Sequence, residues 1–231
     1  MAASTHVPLR VTFHLATPIV VPTFDKTLDA VLSWARVQQA TAQGHADPIS
    51  LQHDLPVARH LPTVEQDWCF KASNLEYHWC GDRFMTFRIK RQKLTDYVDA
   101  FSSGVLRKPP AVDSTRGVTA AGLYETARRP CDQIKAWCIG DPQALRELLR
   151  QVTFLGKMHA RGAGQVQQID VDEDDHALVA WTNRSLPVSS PLLAADGAGR
   201  SDMLGALRAP YWKRENFQVV KVLTNSGQIE A

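Results

Sequence analysis

The chain has 231 residues, of which 44% are apolar and 22% charged, as in globular proteins with one large or two small domains. No apolar run approaches the roughly 18 residues that cross a bilayer, and the first ten residues lack the apolar core of a signal peptide, so we expect a cytoplasmic protein without a membrane partner. The net charge of +2 argues against nonspecific coating of nucleic acid, but residues 83–161 hold 15 basic and 7 acidic residues. This excess favours a polyanionic ligand, with a solvated basic face as the alternative.

The N-terminal part predicts a strand followed by a helix. Apolar side chains alternate with polar ones, the period of a half-buried strand, at Leu9, Val11, Phe13 and Leu15. Apolar side chains then follow helical spacing from residue 28 onward, at Leu28, Val31, Leu32 and Ala35. Asp25 or Thr27 is a suitable N-cap for this helix.

Two strand-like runs follow, at residues 67–79 and 82–94. Gly81 and Asp82 between them are an acceptable turn, so we predict a hairpin. In the second run, one face carries Phe84, Thr86, Arg88 and Lys90, and the other carries Met85, Phe87, Ile89 and Arg91. One face of this strand is therefore half cationic.

Residues 97–130 have little periodicity, and their cations stand among Gly, Pro and Ser at Arg107, Lys108, Arg116, Arg128 and Arg129. A stretch of this length inside a compact domain is usually functional or disordered. With Phe101 and Tyr124 nearby, the cations favour an inserted basic loop or hairpin that faces nucleic acid. A flexible surface loop is the alternative.

The second half predicts a strand at 132–140, a helix that starts at Asp141 and Pro142, and a short strand from Val166. The buried stripe of this helix is Leu145, Leu148, Leu149 and Val152. With one extra strand allowed, the order predicts an α+β fold of ferredoxin-like (RRM-like) βαββαβ plan, in which two helices cover one face of a four-stranded antiparallel sheet. Residues 1–190 would form this domain, and residues 191–231 a C-terminal extension packed on it.

A basic, glycine-rich segment, here called the glycine loop (residues 155–166), separates the second helix from the last strand. Glycines and cations are interleaved in it at Gly156, Lys157, His159, Arg161, Gly162 and Gly164. Such a loop can bring its backbone close to a phosphate chain while the cations supply charge. It is not a Walker loop, because Met158 stands where Ser or Thr is needed, and it does not match GxGxxG. Alternatively, Gly156 ends the helix and the other glycines shape a bend.

We predict no metal site and no cofactor. The four cysteines, Cys69, Cys80, Cys131 and Cys138, lack CxxC spacing and are expected to be reduced and structural. Three histidines, His45, His53 and His60, stand among prolines and aspartates without the i, i+4 spacing of helical ligands, so we interpret them as loop residues.

A ferredoxin-like domain with a Gly-rich basic loop before its last strand resembles the RAMP superfamily of CRISPR-associated RNA-binding proteins. Within it, LRVTFHLATPIVVP with LDAVLSWA, IKAWCIGDPQALRELL, FLGKMHARGAGQV and NRSLPV resemble the type IV CRISPR subunit that binds the 5′ handle of the guide RNA. The resemblance implies a noncatalytic subunit that grips the guide RNA (crRNA) and caps the complex. It also implies docking against the backbone RAMP subunit and the large subunit, with target DNA as a further candidate partner.

Carried onto this chain, the resemblance implies RNA contacts from the glycine loop at Gly156, Lys157, His159, Arg161, Gly162 and Gly164. The insertion corresponds to a projecting hairpin that contacts RNA and a neighbouring subunit, with candidate cations at Arg88, Lys90, Arg107, Lys108, Arg116, Arg128 and Arg129. No motif carries over beyond Pro191, where Tyr211 and Trp212 are open to three roles: core, interface or stacking pair.

The rival hypothesis from the same superfamily is a metal-independent endoribonuclease that processes guide RNA. It would need a positioned general acid or base beside a ribose 2′-hydroxyl. His14, Tyr124 and His159 are the candidates. A histidine in an RNA-binding loop more often contacts phosphate than transfers a proton.

Overall fold

The computed structural model describes residues 6–23, 26–90, 102–103, 122–194 and 199–224. The strands are β1 Val7–Leu15, β2 Ile19–Val20, β3 Arg59–His60, β4 Cys69–Phe70, β5 Glu76–Trp79, β6 Phe84–Lys90, β7 Gly122–Arg129, β8 Cys131–Gly140, β9 Val166–Glu173, β10 Leu186–Pro187, β11 Arg200–Ala206 and β12 Phe217–Leu223. The α-helices are α1 Leu28–Ala42, α2 Pro142–Leu149 and α3 Ala177–Ala180. Short 3-10 helices span Pro48–His53, Glu65–Asp67, His159–Arg161, Pro191–Ala194 and Arg214–Asn216. Among these residues, no helix combines the length and apolarity needed to span a membrane.

The main sheet is antiparallel, with the strand order β5-β8-β1-β9. Leu9, Val11 and Phe13 of β1 are fully buried and share one core cluster with the apolar side chains of α1 and α2. Arg10 and His14 alternate with them and stay partly exposed, as the period of two predicts, whereas Thr12 between Val11 and Phe13 is only 6% exposed. The α+β class with antiparallel pairing is therefore confirmed.

Both predicted helix starts are confirmed by capping hydrogen bonds. The Thr27 side chain accepts from the Ala30 amide at 3.4 Å at the start of α1. At the start of α2, one Asp141 carboxylate oxygen accepts from the Gln143 and Ala144 amides at 2.9 and 3.0 Å. These bonds satisfy amides that the first helical turn leaves without partners. Pro142 occupies the first turn of α2, where no amide is needed.

The hairpin predicted between residues 67–79 and 82–94 is wrong. β5 pairs with β8, whereas β6 pairs with β7 in a separate sheet of order β2-β7-β6. Pro130 separates β7 from β8 and has no amide to continue the ladder, while the Cys80 amide donates to its carbonyl at 3.1 Å. The predicted turn is therefore a bend at which the chain passes from β5 of the main sheet into β6 of the second sheet.

A second, smaller core lies between the main sheet and a sheet of order β10-β12-β11. Its buried members are Cys69, Trp181, Leu186, Leu207 and Val220. His60 belongs to this region and not to a loop: it lies in β3, only 8% exposed, with Nε2 2.9 Å from the Ser190 hydroxyl. The prediction that His60 is a loop residue is therefore wrong. The imidazole packs against the Trp181 ring, and the polar residues around His60 in the sequence gave no sign of this contact.

All four cysteines are free thiols, and three of them are buried. Burial is the main factor that raises the pKa of Cys131 and of Cys138 to about 12. At neutral pH these two thiols stay protonated and behave as small apolar side chains.

Candidate nucleic-acid interface

The glycine loop is closed at its base by backbone hydrogen bonds. The Leu155 amide donates to the Gly164 carbonyl at 2.8 Å, and the Val166 amide donates to the Thr153 carbonyl at 2.9 Å. Gly164 has a φ of +67°, and a Cβ there would lie 2.0 Å from the Leu155 carbonyl oxygen. Only glycine fits this close approach of two backbone segments.

Gly156 does not end the preceding helix, contrary to the alternative considered above. α2 ends at Leu149, and its C-cap residue, Arg150, is right-handed. Gly156 lies six residues farther on, with a φ of +82°, where a Cβ would approach the Ile19 side chain at 3.2 Å. The glycine therefore shapes the loop and not the helix terminus.

Within the described part of the chain, no acceptor is bonded to the five consecutive backbone amides of residues 156–160. The φ angle is positive at Gly156 and at Met158, which is left-handed, but not at Lys157 between them. Such alternation is typical of backbone concavities that direct successive amides at one anion. The backbone of the loop therefore has the pattern of an anion-binding concavity.

The basic side chains of the loop are solvent-exposed. Lys157, His159 and Arg161 form no ion pair with any residue that the structure describes. Gly162 also lies at the surface, and a Cβ there would meet nothing within 4 Å. Charge and free amides are therefore presented together on the loop.

The loop is seated on the segment that follows β1. The Gly164 amide donates to the Pro18 carbonyl at 3.1 Å, and the Gln165 amide donates to the Thr17 hydroxyl at 2.9 Å. Ile19 and Val20 then form β2 and pair with Arg129 and Arg128 of β7. One short segment therefore holds both the glycine loop and the end of β7.

We call the paired strands β6 and β7 the ribbon. Directly opposed residues share a face, and one face carries Phe84, Thr86, Arg88, Tyr124, Thr126 and Arg128. The Thr126 hydroxyl donates to the Met158 sulfur at 3.8 Å, so this face adjoins the glycine loop. Of the predicted face, Phe84, Thr86 and Arg88 share one side of the ribbon, and this side lies next to the glycine loop.

Aromatic and cationic side chains are interleaved on this loop-facing side of the ribbon. The Arg88 guanidinium lies 5.5 Å from the centre of the Tyr124 ring, and both residues are exposed. Phe84 is 41% exposed. The Nε of Arg128 is buried without a hydrogen-bond acceptor among the described residues. Bases can stack on the rings while the guanidinium groups bind phosphates.

Arg129 has a different environment from its neighbour Arg128. Its Nε donates to the Gly81 carbonyl at 3.0 Å, and its guanidinium lies 5.1 Å from the centre of the Trp79 ring. The Trp79 ring in turn stacks on Tyr77, with centroids 5.1 Å apart. Arg129 thereby braces the bend between β5 and β6.

Of the other predicted RNA-contacting residues, the structure gives a strand position for Lys90 alone. Lys90 ends β6, opposite Gly122 of β7. Arg107, Lys108 and Arg116 lie outside the described residues.

The candidate residues for catalysis lie on three different elements: His14 on β1, Tyr124 on the ribbon and His159 on the loop. The His14 Nε2 lies 2.8 Å from an Asp170 carboxylate oxygen. No hydrogen bond joins any two of these three described side chains. In the described ranges, no group of three or more His, Cys, Asp or Glu side chains could hold a metal ion.

Sequence reasoning missed two contributors, Thr17 and Thr126. Each contacts the glycine loop from a distant part of the chain, and a single threonine carries no local signal for such a role. The Pro18 carbonyl, which accepts from the Gly164 amide, likewise carries no sequence signal for this contact.

Among curated proteins, none matches this sequence. The chain does match the family described as "CRISPR type IV associated protein Csf3", over residues 7–223. This match covers the main sheet, the glycine loop, the ribbon and the C-terminal sheet. It confirms the resemblance to a type IV CRISPR subunit, and the chain belongs to the Csf3 family of type IV CRISPR-associated proteins.

Proposed function

We propose that this chain is a noncatalytic RNA-binding subunit of a type IV CRISPR ribonucleoprotein, and that it grips the 5′ handle of the guide RNA and caps the complex. One observation carries the proposal: the glycine loop has backbone amides and exposed cations without partners among the described residues, and it adjoins an aromatic and cationic face of the ribbon. The loop would hold phosphates, and the ribbon would hold unstacked bases.

The topology supports assignment to the ferredoxin-like RAMP fold. The main-sheet strands and helices follow one another as β1, α1, β5, β8, α2 and β9, a βαββαβ order. The sheet order places β1 between β8 and β9, with β5 at the edge beside β8. In this fold β5 and β8 are the second and third strands, and the ribbon of β6 and β7 lengthens the hairpin between them. This accounts for the extra strand in the sequence pattern.

The proposed partners are the guide RNA, the backbone RAMP subunit and the large subunit, with target DNA as a further candidate. Membership in a type IV CRISPR family supports a place in a multi-subunit complex. A subunit that holds phosphates and unstacked bases of the 5′ handle leaves the choice of the target sequence to the pairing of the guide.

Incubation of the purified protein with labelled repeat RNA in EDTA tests this function. We expect retarded, intact RNA whose affinity falls steeply with salt. Specific cleavage that persists in EDTA would overturn the noncatalytic assignment and favour the endoribonuclease. If the protein bound repeat RNA no better than an unrelated RNA of equal length, the handle-gripping role would be wrong.

A further inference from the structure

Trp212 is more exposed than any other large apolar side chain in the described residues, with 75% of its surface accessible. It lies between β11 and β12, in residues 207–216, here called the Trp212 loop. A fully hydrated indole gives up the free energy that burial would supply. A single exposed ring is common on protein surfaces, so what matters is how the chain holds this ring and which side chains stand beside it.

The Trp212 loop is held in place by hydrogen bonds on both sides of the tryptophan. The Tyr211 hydroxyl lies 3.0 Å from the Thr27 hydroxyl and also donates to Asp29. The Asn216 side chain donates to the Pro210 carbonyl at 3.0 Å. On the upstream side, Arg208 donates to the Gln66 and Trp68 carbonyls, each at 3.0 Å. The exposed ring is thus presented by an anchored backbone.

Two cations follow the exposed ring directly. Lys213 and Arg214 are both exposed, and neither pairs with a carboxylate among the described residues. The other arginine of the same loop, Arg208, has backbone acceptors. Both cations are therefore exposed at the surface, with the exposed carboxylate of Glu215 beside them.

Chemistry favours nucleic acid over protein as the partner of this loop. The buried centres of protein interfaces are enriched in tryptophan and arginine but depleted in lysine and glutamate, so an exposed Lys213 beside Trp212 is less typical of them. Single-stranded nucleic acid is bound by aromatic rings that stack on bases beside cations that contact the phosphates. Trp212 followed by Lys213 and Arg214 matches this combination of an aromatic ring and cations.

We propose that the Trp212 loop is a second contact for single-stranded nucleic acid, in which Trp212 stacks on a base and Lys213 and Arg214 bind the adjoining phosphates. The loop rests on the start of α1 and on the Glu65–Asp67 turn. The glycine loop rests on residues 16–19 and on β7. The two contacts use different elements, so this inference does not depend on the function proposed for the glycine loop.

The chain offers a matched control in Trp34, a tryptophan of α1 that is 47% exposed. The nearest arginine in the sequence, Arg36, is paired with Asp54 and is not free to bind phosphate. Substitution of Trp34 removes a partly exposed indole of the same kind without removing a stacking site beside free cations.

The test is a fluorescence-anisotropy titration with labelled oligouridylate and oligothymidylate 15-mers, using the full chain. Trp212→Ala is expected to weaken binding about five-fold or more, Trp212→Phe to retain most of the affinity, and Trp34→Ala to leave it unchanged. Lys213→Ala with Arg214→Ala should reduce the slope of log affinity against log salt by about 1.4, or about 0.7 per lost phosphate contact. Comparison of oligouridylate with oligothymidylate shows whether the loop prefers single-stranded RNA or single-stranded DNA.

Equal affinities of Trp212→Ala and Trp34→Ala for both oligonucleotides would overturn the inference. So would a Trp212→Ala variant that binds both oligonucleotides normally but no longer assembles with the other subunits, which would make this loop a protein interface. Lys157→Ala with Arg161→Ala, measured in parallel, reports on the glycine loop alone. Failure of the second contact is therefore separable from failure of the proposed function.

Discussion

The Thr126 hydroxyl donates to the Met158 sulfur at 3.8 Å, and this contact joins the ribbon to the glycine loop. Met158 is left-handed with a φ of +66°, and it stands in the row of free amides. Thr126 stands on the same ribbon face as Tyr124 and Arg128. One surface therefore combines free amides, exposed cations and exposed rings, and its parts can be tested separately.

The loop cations are the first part. Replacing Lys157 and Arg161 by alanine should weaken RNA binding and reduce the salt slope by about 1.4, because each lost phosphate contact removes about 0.7 on single strands. Salt-dependent titrations with repeat RNA measure this. Arg150→Ala with Lys221→Ala is the control, since these two cations are paired with Glu147 and Asp202. If both double variants had the slope of the unmodified protein, the loop would not contact phosphate.

The ribbon offers two adjacent residues on opposite faces. Tyr124 lies on the loop-facing side and is 50% exposed, and Leu123 lies on the opposite face and is 60% exposed. Tyr124→Ala should weaken RNA binding about five-fold or more through lost stacking, while Leu123→Ala should leave it unchanged. Affinity for repeat RNA measures both. An equal loss in the two variants would show that the ribbon acts through its overall geometry and not through this face.

Local signals predicted local structure well. The alternation in β1 and the Asp141-Pro142 helix start depend on neighbours within a few residues. The helix start is confirmed, and the alternation is confirmed except at Thr12, which is buried. The hairpin predicted at Gly81 and Asp82 was wrong because its two strands do not pair with each other. They pair instead with β8 and β7, about fifty residues away in the sequence. The buried position of Arg184 could not be predicted from the sequence, because four of its five hydrogen-bond acceptors lie on distant residues, at positions 29, 70, 72 and 207.

The loop needs glycine for two reasons, a positive φ angle and the close approach of two backbone segments, and Gly162 and Gly164 allow these to be tested separately. Both have positive φ, but only at Gly164 would a Cβ collide with backbone, 2.0 Å from the Leu155 oxygen. Gly162→Ala should destabilise the protein by about 1 kcal/mol, the cost of a left-handed alanine, and Gly164→Ala by clearly more. Urea unfolding of the two variants measures the difference. Equal midpoints would mean that the loop base relaxes without cost.

The buried pair of Arg184 and Asp29 ties the start of α1 to the C-terminal sheet. Both side chains are essentially inaccessible, with Nη1 3.1 Å from Oδ1, and the guanidinium also donates to the Phe70, Ala72 and Leu207 carbonyls. Although burial opposes its charge, Asp29 raises the pKa of Arg184, so the cation persists. Arg184→Met should cost about 3–5 kcal/mol of unfolding free energy, because it removes one partner of a buried ion pair.

Arg150→Ala is the matched control for that substitution. Its ion pair with Glu147 is largely exposed, with 74% and 57% of the two side chains accessible. Such i, i+3 surface pairs contribute about 0.5 kcal/mol or less. Chemical denaturation of both variants makes the comparison. A loss below about 1 kcal/mol for Arg184→Met would mean that the pair is dispensable for stability.

His60 should make the stability of the protein depend on pH. Burial, then the positive charges of Lys71 and Arg184, lower the pKa of His60 below its usual 6.5. The unfolded chain therefore binds a proton at pH values where folded His60 remains neutral, next to the Ser190 hydroxyl and the Trp181 ring. The unfolding free energy falls as pH decreases through 6.5, by at most about 1.4 kcal/mol per pH unit from this group, until the folded pKa is passed.

The His60→Gln variant isolates this group from the other seven histidines, because glutamine retains a donor and an acceptor but does not titrate in this range. Unfolding midpoints measured between pH 8 and pH 5 should decrease more steeply in the unmodified protein than in His60→Gln. Above pH 7.5 the difference between the two proteins should not vary with pH, since the imidazole is neutral in both folded and unfolded chains. Parallel curves over the whole range would contradict the assignment, because they would place the proton-linked change elsewhere in the molecule.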